Sequence, residues 1–155
     1  MQISIQYTGY SFELLIHLDA FLVFSNGRSW ARPSRDIVFR NIVIGSGHGI
    51  SVGSETAGGA QNITFVNITM TGTERGPRIK SERGRGGVVD GVKFINITAR
   101  NLDTMISVTQ NYQSGIPPTN TSATPILRNV LFDNVRFLYD DEVNEKARNA
   151  GSFDG

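Results

Sequence analysis

Three polar side chains raise the first chemical question. His48 stands in Gly47-His48-Gly49, and Arg78 and Lys80 flank Ile79 in Arg78-Ile79-Lys80. The glycines beside His48 remove side-chain bulk, so a substrate or a neighbouring backbone can come close. An imidazole there can donate a hydrogen bond or help set the protonation of a nearby carboxyl. On a strand, alternation sends Ile79 to one face and both cations to the other. Taken one at a time, an exposed histidine is usually a surface residue and an Arg-x-Lys pair a solvated face. Whether they act together depends on the elements that carry them.

Those elements repeat. Four segments share a β-branched or apolar start, alternation, an asparagine, and alternation again: Ile37-Val38-Phe39-Arg40-Asn41-Ile42-Val43-Ile44, Ile63-Thr64-Phe65-Val66-Asn67-Ile68-Thr69-Met70, Val92-Lys93-Phe94-Ile95-Asn96-Ile97-Thr98-Ala99 and Val130-Leu131-Phe132-Asp133-Asn134-Val135-Arg136-Phe137. Period-two patterning in Ile, Val, Phe and Thr predicts strands with one buried face. A shorter strand follows in three units: Gly49-Ile50-Ser51-Val52, Gly76-Pro77-Arg78-Ile79-Lys80 and Met105-Ile106-Ser107-Val108.

One such unit cannot bury its apolar face alone, so the units must stack as coils of a solenoid with parallel sheets, a parallel β-helix. Leucine-rich repeats would need regular leucines at a shorter period. Propeller blades would need tight Asn-Gly or Asp-Gly hairpins between paired strands. Asn41, Asn67, Asn96 and Asn134 are expected at one corner, bonding from coil to coil in a ladder that satisfies buried amides. Aligning the short strands stacks Ser51, Arg78 and Ser107 in one outward file and Gly53, Lys80 and Thr109 in the next, on a face open to a ligand. His48, one coil earlier at an equivalent bend, is expected near both cations. Residues 84–87 read as a loop between coils and residues 113–125 as a polar, proline-containing extension of the third unit.

Composition limits the alternatives. The formal charge of +1 provides no global field for nucleic acid or an anionic membrane, and the absence of cysteine excludes disulfides and thiolate metal sites. Residues 12–24, the most apolar stretch, are interrupted by Glu13, His17 and Asp19 and are too short to span a bilayer. No secretory signal is visible in residues 1–10, which hold no basic residue. Gly84-Arg85-Gly86-Gly87 with Arg83 is a weak match to an RNA-binding tract, since it is short and lacks interleaved aromatics. Of the Asn-x-Ser/Thr acceptor patterns at Asn62, Asn67, Asn96 and Asn120, only Asn120, in a polar loop, is a credible glycosylation site; Asn67 and Asn96 belong to the repeat.

Several motifs agree in order and approximate spacing: Arg32-Pro33-Ser34-Arg35-Asp36-Ile37-Val38-Phe39-Arg40-Asn41, then Gly45-Ser46-Gly47-His48-Gly49-Ile50-Ser51-Val52-Gly53-Ser54-Glu55, Gly58-Gly59, Arg78-Ile79-Lys80 and Gly84-Arg85-Gly86-Gly87. Together they resemble glycoside hydrolase family 28, the polygalacturonases and their relatives, over residues 26–135. The resemblance implies an all-β chain folded as a right-handed parallel β-helix, a pectin-lyase-like solenoid, incomplete at both ends. It further implies hydrolysis of α-1,4-galacturonosidic bonds of pectin with inversion, by an aspartate in an Asn-Thr-Asp motif and two in an Asp-Asp pair. One carboxylic acid protonates the leaving oxygen while a carboxylate across the sugar activates water, at a separation of about 6.5–9.5 Å. By the same resemblance His48 supports the acid, and Arg78 and Lys80 bind the sugar carboxylate.

The chain departs from the pattern at its start. In His17-Leu18-Asp19-Ala20-Phe21-Leu22-Val23-Phe24-Ser25, Asp19 matches the second aspartate of the pair, Leu18 stands in the place of the first, the acid, and Phe24 replaces a lysine. The Asn-Thr-Asp coil would lie before Met1. The expected organisation is an atypical N-terminal segment at 1–18, coils at 19–138 and a polar C-terminal tail at 139–155. The resemblance implies a monomeric, secreted enzyme acting on a pectic polysaccharide, galacturonan or rhamnogalacturonan, with no cofactor, metal, nucleic acid or membrane partner. This chain by itself is expected to be inactive and poorly soluble, its first coil exposing strand edges. The alternative is a non-catalytic uronate-binding remnant. Pectate lyase chemistry would call for calcium held by a carboxylate cluster, which the sequence does not offer.

Overall fold

The computed structural model describes residues 3–7, 10–14, 20–23, 33–112, 123–140 and 149–155. Every regular element among them is a strand: β1 (Ile3–Tyr7), β2 (Tyr10–Leu14), β3 (Ala20–Val23), β4 (Ser34–Ile44), β5 (Gly49–Val52), β6 (Ala60–Thr71), β7 (Arg78–Lys80), β8 (Val88–Arg100), β9 (Thr104–Thr109), β10 (Ile126–Arg128), β11 (Leu131–Leu138) and β12 (Asn149–Asp154). Long and short strands alternate along the chain and segregate into two sheets. The long ones stack in parallel as β4, β6 and β8, with β10 and β11 sharing the far edge of β8. The short ones stack in the order β3, β5, β7, β9, β12, all parallel. Successive turns of chain thus lie on one another as coils of the expected right-handed parallel β-helix.

The long strands show how the sequence writes a coil. In β6 the buried apolar residues are Ala60, Ile63, Phe65, Ile68 and Met70, and in β8 they are Val89, Val92, Phe94, Ile97 and Ala99. Their spacing runs three, two, three, two instead of a steady two. Each step of three spans one residue with positive φ: Asn62 and Asn67 in β6, Gly91 and Asn96 in β8. A left-handed residue bends the strand and resets its parity, so the next apolar side chain again points inward. Asparagine and aspartate tolerate that conformation better than other residues with a Cβ. Asp36, Asn41, Asn129 and Asn134 mark the same two corners in the neighbouring coils.

The predicted ladder is present. Asn67 Nδ2 donates to Asn41 Oδ1 at 3.2 Å, Asn96 to Asn67 at 3.2 Å and Asn134 to Asn96 at 2.7 Å. It runs along an exposed outer corner, however, so it satisfies no buried amides; backbone conformation selects asparagine there. A second, unforeseen line follows the other corner, where Asn62 Nδ2 donates to Asp36 Oδ1 at 2.8 Å and Asn129 Nδ2 to Asp90 Oδ1 at 2.7 Å.

Inside, Phe39, Phe65, Phe94 and Phe132 form a continuous stack with ring centroids 4.8, 5.1 and 5.1 Å apart. This is close to the strand separation of about 4.8 Å, so one phenylalanine per coil extends the column by one ring. Phe65 is fully buried between two rings, whereas Phe132 is only half-buried at the end of the column. Phe65→Ala should therefore cost about 3–5 kcal/mol in urea unfolding, and Phe132→Ala clearly less. Equal costs would contradict a continuous internal column.

Strands near both ends of the chain add to the sheets. β1 pairs antiparallel with β2 and with β4, covering the edge of β4 that faces away from β6. Antiparallel pairing needs only a free row of backbone donors and acceptors, which β4 presents. The segment expected as a polar tail contributes β12, which continues the short-strand sheet beside β9.

Candidate functional site

The short-strand sheet positions the cations as alternation requires. Ser51 pairs with Arg78 and Arg78 with Ser107, while Lys80 pairs with Thr109. Ile79, between the two cations, is fully buried in the core beside Val52 and Val108. Gly53 lets the coils close up at the Lys80 end of the strand: its φ is 101°, and a Cβ there would sit 1.8 Å from the Lys80 carbonyl oxygen. Gly49 does the same for His48. It has φ 84°, and a Cβ would lie 2.0 Å from the Arg75 carbonyl oxygen. The room made beside His48 is thus filled by neighbouring backbone.

The outward face is less open than alternation alone suggested. Arg78 is only 7% exposed and Lys80 only 8%. Arg78 Nε donates to Ser51 Oγ at 2.9 Å, and the Lys80 ammonium lies 4.7 Å from the centre of the Tyr112 ring, a cation–π contact. Among the described residues no carboxylate lies within ion-pair distance of either cation. Burial, and next the charge of Arg75, lower the Arg78 pKa, with Tyr112 and Glu74 acting in the other direction. Burial, and next the charge of Arg78, hold Lys80 below the usual lysine range.

The depressed lysine pKa means that the unfolded chain binds the Lys80 proton more tightly than the fold does. Stability therefore rises as pH climbs through the folded-state pKa of Lys80, and at neutral pH the clustered cations oppose folding. A bound anion relieves that opposition.

Beside Arg78 opens a cleft of about 330 Å³, lined by Arg75, Arg78, Ser107, Thr109, Asn111, Tyr112 and Ser152. Four of these side chains, Arg75, Asn111, Tyr112 and Ser152, were not singled out by sequence. Arg75 precedes the Gly76-Pro77 bend, outside the strand, and could have been found only by counting coil register back from Arg78. Tyr112 follows the end of β9.

His48 does not line this cleft. It is exposed, and its Nδ1 lies 2.7 Å from Glu74 Oε2 on the next coil. With a carboxylate as acceptor, Nδ1 carries the proton, and in the neutral ring Nε2 is then an acceptor. The short strand thus brings Arg78 and Lys80 to one face, while His48 pairs with Glu74 outside the cleft. Asp19 and Leu18 lie outside the described residues, as does Asn120; Ala20, which follows Asp19 in the chain, pairs with Gly49, which follows His48.

The arginine of the glycine-rich loop is spoken for. The Arg85 side chain is 3% exposed and ion-paired to Glu55 and to Glu82, the latter at 3.2 Å. It ties neighbouring coils together, as a loop between coils would.

Comparison with known proteins gives one consistent answer. The chain is 40% identical to an endo-polygalacturonase of Pectobacterium carotovorum subsp. carotovorum over 56% of its length, and 31% identical to polygalacturonase-2 of Solanum lycopersicum over 66%. It spans 21% and 24% of those two proteins. A solved polygalacturonase from Erwinia carotovora ssp. carotovora superposes on 72% of the chain with TM-score 0.51 and 26% identity, the match spanning 37% of that structure. The family model for glycosyl hydrolases family 28 matches residues 28–147. With that match extending over well more than half its length, on coils of the same fold, the chain belongs to glycosyl hydrolases family 28.

Proposed function

We propose that this chain carries the uronate-recognition part of a secreted, monomeric polygalacturonase, one that hydrolyses α-1,4-galacturonosidic bonds of pectin with inversion. The observation that carries this reading is the buried pair Arg78 and Lys80, on one face of one strand, with no carboxylate partner among the described residues. Desolvated cations without a counter-ion are costly, and a sugar carboxylate supplies the missing charge with hydrogen bonds to both. The arginine, held at Nε by Ser51, offers its terminal nitrogens as a fork. In this reading Asp19 is one catalytic carboxylate, and His48, with Nδ1 committed to Glu74, keeps Nε2 free to accept a proton or hydrogen bond. The endo-polygalacturonase and polygalacturonase names of the relatives support galacturonan as the substrate.

A second reading, a uronate-binding protein without catalysis, is favoured by one feature: Leu18 occupies the place of the acid while both cations are kept. The two readings share the binding site and differ in turnover.

The binding site is tested by titrating the folded chain with oligogalacturonate and with neutral oligogalactose. Oligogalacturonate should bind more tightly, and its advantage should fall as pH rises through the depressed Lys80 pKa, before an ordinary lysine would titrate. Equal affinity for the two sugars would remove the uronate assignment.

A further inference from the structure

The coil that holds β11 and β12 leaves its side of the core open. Phe94, Ile97 and Ala99 of β8 are fully buried, yet their register partners Phe132, Val135 and Phe137 of β11 are only half-buried. One inward file of the short-strand sheet shows the same gradient: Val52 and Ile79 are fully buried, Val108 is half-buried and Phe153 of β12 is 73% exposed. Among the described residues β11 pairs with β8 alone, so its outer edge presents a row of backbone donors and acceptors beside this apolar end face.

That edge is complementary to itself. β11 reads Leu131-Phe132-Asp133-Asn134-Val135-Arg136-Phe137-Leu138. Antiparallel pairing with a second copy, centred between Asn134 and Val135, sets Leu131 against Leu138, Phe132 against Phe137 and Asp133 against Arg136. The faces match too, since Phe132 and Phe137 both pack toward the core while Leu131, Asp133, Arg136 and Leu138 are exposed outside. The positive φ of Asn134 allows this match, because it resets side-chain parity in mid-strand. Opposite charges directly across an antiparallel pair stabilise it. Within one copy neither Asp133 nor Arg136 has an ion-pair partner among the described residues, and Arg136 Nε donates to Asn134 Oδ1 at 3.0 Å.

We propose that the β11 edge is the interface of a two-fold dimer of this chain, in which the two apolar end faces close on each other and each Asp133 meets the partner's Arg136. A head-to-tail stack of copies, the other way to cover the end face, would need a free edge on β4, and β4 already lies between β6 and β1. The two-fold contact uses the same patch on both copies and so closes at two. This inference does not depend on the uronate site, and the monomer of that reading is the whole polygalacturonase of which this chain carries a part.

The test is analytical sedimentation of the full chain beside two charge-reversed variants, Asp133→Arg and Arg136→Asp. Wild type should sediment as a dimer that dissociates on dilution. Each variant alone sets like charges against one another at two places, so its dimer should weaken by about tenfold or more. Mixed in equal amounts, the two variants restore both opposite-charge pairs across the interface. The double variant, Asp133→Arg with Arg136→Asp, restores them within one sequence. Both samples should return to wild-type affinity. A wild type that stays monomeric, or that grows beyond the dimer, overturns the proposal. So do single variants that dimerise as the wild type does, and a mixture that stays as weak as its components.

Discussion

Replacing Arg78 and Lys80 together by alanine should lower oligogalacturonate affinity by about a hundredfold or more and leave neutral oligogalactose binding where it was. Each cation offers a charge-assisted hydrogen bond worth about 1.5–3 kcal/mol, and two such bonds amount to roughly 3–6 kcal/mol before any coupling between them. The site's low exposure shields it from bulk screening, so the wild type should lose affinity only gradually with added salt, and the double variant should show almost no salt dependence. Because Lys80 opposes folding at neutral pH, removing the pair should not destabilise the fold through lost ion pairing. A variant with unchanged unfolding and unchanged oligogalacturonate affinity would show that the cations serve something other than a sugar carboxylate.

The second large effect concerns turnover. The 155-residue chain is expected to release no measurable reducing ends from polygalacturonate. General acid catalysis is typically worth about 10²–10⁴-fold, and leucine at position 18 can donate no proton to the departing oxygen. Inversion requires a pair of carboxyls, of which the proposed reading assigns one, Asp19, in this chain. Measured release that disappears in Asp19→Asn would contradict this and would mean that another carboxyl has taken over as donor. Release that persists in Asp19→Asn would remove Asp19 from the chemistry.

Much of the coil architecture was legible because side-chain parity is a sequence property. Asn41, Asn67, Asn96 and Asn134 recur as one residue type between two alternating halves, so their corner could be found by eye. The other corner is formed by Asp36, Asn62, Gly91 and Asn129. These share a tolerance of positive φ and no single identity, so similarity of sequence hid them. The file of Ser51, Arg78 and Ser107 followed from alternation, but the depth of the cations did not, since Tyr112 and the cleft wall come from later coils. Arg75 was hidden for a related reason. Register shifts by 27 residues from Ser51 to Arg78 and by 29 from Arg78 to Ser107, so no fixed repeat length points to it. The antiparallel cover of β4 by β1 had no signal, because β1 repeats no part of the coil pattern.

The most direct measurement of the central claim is an amide chemical-shift map of the folded chain titrated with galacturonate. If the sugar carboxylate sits on Arg78 and Lys80, shifts should concentrate at Ser51, Arg78, Lys80, Thr109 and Tyr112, while the outer corner at Asn41, Asn67 and Asn96 stays still. Shifts that fall on the asparagine corner, or that are reproduced in full by neutral galactose, would contradict it.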